Sequence, residues 1–394
     1  MYARICRKAK RSWTSKYTRC ILSVARGTRE APMTALLLAC ATGSFEVANP
    51  TRPDADIAFR DSDTVVQDDT GAGHPPDDAS APDWEPTTDI YQHCFSDFMS
   101  PEYPLPDYDR SGARIGSHCL GTDHQAIPDD IEQVVFIGDS VTLGSPPADS
   151  SQWYRNVLMH RLADRYGLQK AGWTWQNVDI ISGKPLQRFD GDFGVCAWWG
   201  ARTDDLVLSN QLPDCLPESS RGKSTLVIIT SGGNDVFKQV QAKAEGTDDE
   251  QITAAYDEWV LLMREGLEWL KEPGRFSNGV YVIFANVYEY SDGTGDLGSC
   301  PGADWFGFGA IDTTHIDALT RRAMDDYLQM AVDTETDMLL MREGFCGHGF
   351  NAGDPSAPCY RGTNAPVWFD ETCIHPNARG HSGIADMVMS VIEE

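Results

Sequence analysis

The stretch VVFIGDSVTLG, residues 134–144, decides how the rest of the chain is read. Four apolar residues, Val134 to Ile137, run into Gly138-Asp139-Ser140, and a second glycine, Gly144, follows four positions after the serine. A continuous apolar run without polar alternation is the pattern of a strand buried on both faces. This one ends in a small residue, an acid and a hydroxyl. That is the composition of a chain that turns sharply and leaves one hydroxyl facing open space.

Working outward, IEQVVFIG (131–138) predicts the first strand, and 151–167 has helical spacing closed by Gly167. NVDIIS (177–182) predicts a second strand. STLVIITSGGND (224–235) is a third apolar run, ending in glycines and polar groups. Residues 248–274 predict a long amphipathic helix closed by Pro273-Gly274, 279–290 a fourth strand, and 315–332 and 380–394 two further helices. No internal repeat is present. Alternation of apolar strands and helices predicts a mostly parallel sheet covered by helices on both faces. Functional groups in such sheets sit at the carboxyl ends of the strands, so GDSVTLG and SGGNDVF should face one crevice.

The chain has 394 residues, 41% of them apolar, with 59 acidic and 32 basic side chains and a formal net charge of −27. That charge argues against a nucleic-acid partner, which needs clustered Lys and Arg. Its distribution is uneven. Residues 1–32 carry nine Lys or Arg and one acid, Glu30, and are followed by the short apolar stretch MTALLLACATGS (33–44). This order predicts an export signal over 1–40. Leu37-Leu38-Ala39-Cys40 resembles the bacterial lipobox, which implies membrane attachment through a lipidated Cys40. A disordered leader or a mis-set start codon is the alternative. Residues 41–90 hold twelve acids and two bases among Pro, Gly and Ser, the composition of a solvated tether ahead of a folded domain at 91–394. An extracellular or cell-envelope location is expected. No run approaches the ~18 apolar residues of a spanning helix.

Of eleven cysteines, setting aside Cys6, Cys20 and Cys40 leaves eight: Cys94, Cys119, Cys196, Cys215, Cys300, Cys346, Cys359 and Cys373. An even number downstream of an export signal predicts disulfides, with Cys196/Cys215 and Cys346/Cys359 as local pairs. Free buried thiols are the alternative. The absence of a CxxC pair argues against a zinc ribbon.

A serine hydroxyl becomes a nucleophile when a base takes its proton, and the base needs an orienting partner. The tetrahedral intermediate also needs donors where its oxyanion forms. Ser140 follows the first strand. Gly200 lies in CAWWGARTDDL (196–206), Asn234 in SGGND (231–235) and His375 in FDETCIHPNARGH (369–381). In this order GDSVTLG, GARTDDL, GGND and HPN..GH resemble the four blocks of the SGNH (GDSL-type) hydrolases, across roughly residues 130–394. The resemblance implies a three-layer α/β/α sandwich with a mostly parallel, flavodoxin-like sheet. It implies Ser140 as nucleophile, His375 as base, and an oxyanion hole from the Ser140 amide, the Gly200 amide and the Asn234 side chain. No metal or organic cofactor is implied. The substrate would be a small-molecule, lipid or polysaccharide ester.

One position departs from the family. An Asp usually stands three residues before the His, and here that residue is Thr372. Three readings stay open: Asp370 reaches the imidazole through a rearranged turn, Glu371 does so, or a main-chain carbonyl or a water held by Thr372 orients the ring. Asp370 is taken as the third member. DTTH (312–315) repeats the usual spacing, but it precedes a helix, so Asp312 or Thr313 reads as a cap. His381 reads as packing and Cys373 as a disulfide partner. Trp198 and Trp199 line either an acyl or sugar pocket or the core. The loop 346–359 has too few acids for a hard-cation cage. The function expected is a secreted or surface-tethered serine ester hydrolase. The alternative is a catalytically inactive scaffold of the same fold that binds carbohydrate or lipid, supported only by the missing Asp.

Overall fold

The computed structural model describes residues 124–302 and 311–393. The expected export signal with Cys40, the acidic tether, and the start of the 91–394 domain with Cys94 and Cys119 lie outside the described residues.

The first strand, β1 (Gln133–Gly138), runs into a single helical turn, α1 (Ser140–Leu143), and then α2 (Tyr154–Tyr166) and α3 (Trp173–Gln176). Two-residue strands β2 (Val178–Asp179) and β3 (Lys184–Pro185) precede β4 (Phe189–Asp190) and β5 (Phe193–Ala197). Short helices α4 (Thr203–Val207) and α5 (Gln211–Cys215) lead to β6 (Thr225–Thr230), α6 (Gly233–Ala244) and α7 (Asp249–Lys271). The chain continues with β7 (Val280–Ala285), α8 (Thr314–Thr334), β8 (Asp337–Leu339), α9 (Met341–Phe345) and α10 (Ala378–Glu393).

The main sheet has the order β4-β5-β1-β6-β7-β8. β1 pairs parallel with β5 and β6, and β7 parallel with β6 and β8, while edge strand β4 runs antiparallel. Counted along the chain, the parallel strands stand in the order 2-1-3-4-5, the flavodoxin-like arrangement. Its direction of winding reverses between β1 and β6, and a crevice opens there at the carboxyl ends.

Period-two alternation explains why the strands read as unbroken apolar runs. Val135 and Ile137 of β1, Val227 and Ile229 of β6, and Val282 and Phe284 of β7 pack into one core with α4 to α8. Their neighbours Val134, Phe136, Leu226, Ile228, Ile283 and Ala285 pack into a second core with α2 and α10. Helices therefore cover both faces, and the fold is a three-layer α/β/α sandwich. Helix α7 shows the local logic. Asp248 caps it by accepting the Gln251 amide, and buried residues recur at 252, 256, 259, 263, 267 and 270, three to four apart.

One sequence expectation needs correction, and two strands carried no signal. NVDIIS is not the second strand of the sheet. Only Val178–Asp179 is extended, in a separate ribbon with Lys184–Pro185, and Ile180 and Ile181 are 55% and 90% exposed. The β-branched pair has strand propensity but no face to bury. The second sheet strand is Phe193–Ala197, FGVCA, whose glycine and cysteine break the aliphatic pattern although all five residues are buried. Strand β8, three residues long, carried no signal above its neighbours.

The expected pairs Cys196–Cys215 and Cys346–Cys359 are both disulfides, and Cys300–Cys373 is a third.

Candidate active site

Gly138 ends β1 with φ +139°, and a Cβ there would stand 1.9 Å from the Thr230 carbonyl oxygen of the neighbouring strand. Only glycine lets the chain turn so close to β6. Asp139 then folds its carboxylate back to accept the Val141 amide at 2.9 Å, starting α1, and accepts the Thr230 hydroxyl at 3.1 Å. Burial pushes the Asp139 carboxyl up to about 7, against these hydrogen bonds. The turn closes where the Gly144 amide donates to the Ser140 carbonyl at 2.8 Å. Ser140 is thus the first residue of a one-turn helix at the carboxyl end of β1.

His375 comes from the other end of the chain. The segment 370–375 is a tight loop between the bridged residues Phe369 and Pro376, closed by the Asp370 amide donating to the His375 carbonyl at 2.9 Å. The Tyr288 hydroxyl donates to the Ile374 carbonyl at 2.6 Å. Asn377 accepts the amides of Arg379 and Gly380 at the start of α10 and donates to the carbonyls of Val367 and Phe369. Together these fix the loop, and His375 Nε2 stands 2.9 Å from Ser140 Oγ.

At the far imidazole nitrogen the arrangement is indirect. Asp370 Oδ2 is 3.9 Å from His375 Nδ1, beyond hydrogen-bond reach. Thr372 lies between: its hydroxyl donates to Asp370 Oδ1 at 2.5 Å and stands 3.3 Å from Nδ1. Glu371 is exposed, whereas Asp370 is 5% exposed. Burial raises the Asp370 carboxyl, with the His375 charge and the Thr372 hydrogen bonds pulling it back. Burial lowers the His375 imidazole, with Asp370 pulling it up.

The Asn234 side chain, in the first turn of α6, donates to the Ala201 carbonyl at 2.7 Å. That bond draws the loop carrying Gly200 toward the end of β6. The same loop is held at two other points, by the Trp198 amide on the Gly138 carbonyl at 3.3 Å and the Trp199 indole on the Gly144 carbonyl at 3.0 Å. Gly200 is exposed and does not line the cavity described below. Neither the Ser140 amide nor the Gly200 amide donates to another group among the described residues. Thr203 joins the two blocks: its amide and hydroxyl both donate to Asp235 Oδ2, at 3.0 and 3.1 Å, and burial pushes that carboxyl up to about 6.

A cavity of about 160 Å³ opens beside Ser140, between α6, the segment after β7, and α8. Its apolar walls include Val236, Phe237, Val287, Leu297 and Ile316, and Asn234 and Thr372 stand at its reactive end. Trp198 and Trp199 are not among its lining residues. Instead Trp199 packs on Gly183 and Lys184 Nζ sits 5.7 Å from the Trp198 ring, so the two indoles seat the β2–β3 ribbon.

The remaining sequence candidates lie elsewhere. His315 Nε2 is near the Thr253 hydroxyl and the Asp249 carbonyl at the start of α7, and Asp312 accepts the Thr314 amide as a cap. His381 is fully buried, with Nδ1 accepting the Tyr154 amide, and burial drives its imidazole down to about 3. The loop 346–359 is organised by Asp292, whose carboxylate accepts the amides of Gly347, Gly349 and Asn351 at 2.7 to 2.9 Å. No cluster of three or more His, Cys, Asp or Glu that could hold a metal ion occurs among the described residues. Sequence reading missed the Cys300–Cys373 pairing and the Thr372 contacts. Cys373 and Thr372, within three residues of His375, were the only hints, and nothing local pointed to Cys300.

No family model matches the chain, and no curated protein matches it. Among solved structures it is similar to the lipase Lip_vut3 from a goat rumen metagenome, at 14% identity and a TM-score of 0.41 over 66% of this chain and 97% of that one. A diltiazem-metabolizing enzyme of a gut microbe gives 13% identity and a TM-score of 0.41, over 68% of this chain and 49% of that one. A Slackia heliotrinireducens protein, provisionally assigned as an SGNH hydrolase, gives 13% identity and a TM-score of 0.35, over 66% of this chain and 99% of that one.

Proposed function

We propose that the protein is a serine ester hydrolase that works through an acyl-enzyme. The observation that carries this reading is the 2.9 Å contact between Ser140 Oγ and His375 Nε2 at the switch point of the sheet. Ser140 Oγ attacks the ester carbonyl carbon while His375 Nε2 takes its proton. The negative charge that develops on the carbonyl oxygen is met by the amides of Ser140 and Gly200 and by the second N–H of Asn234 Nδ2. The tetrahedral intermediate collapses as His375 returns the proton to the departing alkoxide, leaving the acyl group on Ser140. Water, deprotonated by the same imidazole, then attacks the acyl carbon, and Ser140 leaves with that proton. Asp370 supplies the negative charge that offsets the transient imidazolium.

The cavity beside Ser140 accepts the acyl group. Its apolar walls, Val236, Phe237, Val287, Leu297 and Ile316, suit the hydrocarbon part of an acyl chain. Secretion and a lipidated Cys40 anchor belong to this proposal, since the basic leader and acidic tether would carry such an enzyme to external esters.

The test is hydrolysis of p-nitrophenyl esters from acetyl to decanoyl, with labelling by a fluorophosphonate probe, in the parent and Ser140→Ala. Turnover and labelling by the parent alone support the reading. A parent that neither turns over any ester nor takes the probe would move the inactive scaffold to the front.

A further inference from the structure

We infer that Thr372 is a positioning residue that links Asp370 to His375 through its hydroxyl, taking over the contact that a carboxylate three residues before the histidine would make directly. This rests on the hydrolase reading for its catalytic meaning, although the hydrogen-bond chain can be tested without turnover.

Four distances carry it. Asp370 Oδ2 cannot reach His375 Nδ1 at 3.9 Å and has no hydrogen-bond partner among the described residues. Asp370 Oδ1 receives both the amide and the hydroxyl of Thr372, at 2.8 and 2.5 Å. The same hydroxyl oxygen stands 3.3 Å from Nδ1.

The donor and acceptor roles then follow in one direction. An ionised carboxylate only accepts, so the Thr372 hydroxyl spends its single proton on Asp370. Its lone pairs are left to accept, and the nearby candidate donor is Nδ1–H of His375. With the proton on Nδ1, Nε2 is bare and accepts the Ser140 hydroxyl. The chain thus selects the tautomer in which the imidazole is a base toward Ser140. When His375 becomes imidazolium, Nδ1–H strengthens its bond to Thr372, and the polarised hydroxyl passes that demand to Asp370. No proton needs to move along the chain.

A purely structural role for Thr372 would be to cap the 370–375 loop, and its amide already does that on the same carboxylate oxygen. The two roles separate experimentally. Thr372→Val removes the hydroxyl and keeps the amide and the side-chain shape. Thr372→Ser keeps the hydroxyl. Thr372→Asp restores a carboxylate at the spacing of the resembled family.

The experiment combines ester turnover as a function of pH with ¹⁵N NMR of the His375 ring, assigned by subtraction of a His375→Gln spectrum. In the parent and in Thr372→Ser the ring should be the Nδ1–H tautomer. In Thr372→Val it should become a tautomer mixture, with kcat down about 10²-fold at unchanged KM and the acid limb of kcat moved to lower pH. Thr372→Ser should stay within a few-fold of the parent, and Thr372→Asp should restore the Nδ1–H tautomer. A parent silent on esters whose tautomer still follows Thr372 would remove the hydrolase reading and support the link. An unchanged tautomer and rate in Thr372→Val would overturn the link and leave the hydrolase standing. So would a Thr372→Ser variant as impaired as Thr372→Val at an unchanged melting temperature.

Discussion

Asp370 Oδ2 and His375 Nδ1 stand 3.9 Å apart, the carboxylate buried and the imidazole half-buried, with the carboxylate at the imidazole edge that Ser140 does not use. At that distance the acid acts on His375 by field more than by a shared hydrogen bond. The sign of the pH dependence follows. A base must be neutral to act, and burial lowers the His375 pKa, so the acid limb of kcat/KM should lie below the ~6.5 of an ordinary histidine. Asp370 pulls in the opposite direction, so Asp370→Asn should move the limb lower still. It should also reduce kcat by about 10- to 100-fold, less than the ~10⁴-fold of a directly bonded triad acid. A pH–rate profile of parent and variant checks both, and a limb that moves upward would refute the field argument.

In the proposed mechanism Asn234 has two separable duties, one N–H holding the Ala201 carbonyl at 2.7 Å and the other meeting the oxyanion. Loss of one oxyanion donor lowers kcat by about 10²–10³-fold. Asn234→Ala should reach or exceed that loss, because the Gly200 loop loses its tie as well. Asn234→Ser, too short to span both points, should do little better. Steady-state kinetics on an acetyl ester measure it. A fall in kcat/KM through KM alone would mean that Asn234 binds substrate and does not stabilise charge.

How much of this was legible in the sequence depends on whether a residue's partner is local. The apolar runs 134–137 and 226–229 announced buried parallel strands because both faces of each are covered. Ser140 and Asn234 stood out because polar groups directly after such runs have no packing reason to be there, and His375 because HPN..GH resembles the last SGNH block. FGVCA was not legible, because its burial comes from neighbours β1 and β4 and not from its own aliphatic content. Ile180-Ile181 misled for the complementary reason. The Cys300–Cys373 bond spans 73 positions, and no spacing rule reaches that far. Asp370 was nameable, but the Thr372 hydroxyl between it and His375 depends on one χ1 rotamer, which only coordinates supply.

Phe237 offers a test of the acyl cavity. It stands on α6, half-buried, among the cavity walls. Phe237→Ala should lengthen the preferred acyl chain by two carbons or more, with kcat on the acetyl ester held within a few-fold. The chain-length profile of kcat/KM reads this directly. An unchanged profile would place the acyl group elsewhere.

Gly138→Ala should be severely destabilising. Its Cβ would fall 1.9 Å from the Thr230 carbonyl oxygen, in a backbone conformation with φ +139° that alanine rarely adopts. Neither strand can withdraw, because Val135, Ile137, Val227 and Ile229 are locked in the core beneath. Overpacking of this kind costs about 1–3 kcal/mol and backbone strain about as much again. Soluble yield and thermal melting give the answer, and a melting point within a few degrees of the parent would contradict it.

The Cys300–Cys373 bond ties the segment that lines the cavity to the loop holding His375, and both sulfurs are buried. Closing 73 residues into a loop removes chain entropy from the unfolded state worth about 4 kcal/mol in the entropic treatment. The double variant Cys300→Ser, Cys373→Ser should therefore melt well below the parent. The loop, however, keeps its other anchors: the Asp370 amide on the His375 carbonyl and the Tyr288 hydroxyl on the Ile374 carbonyl. At a temperature where the variant is fully folded, kcat should fall by less than about tenfold. A larger loss in the folded variant would mean that the disulfide, and not the hydrogen bonds, holds His375 against Ser140. Turnover measured beside circular dichroism at the same temperature separates the two.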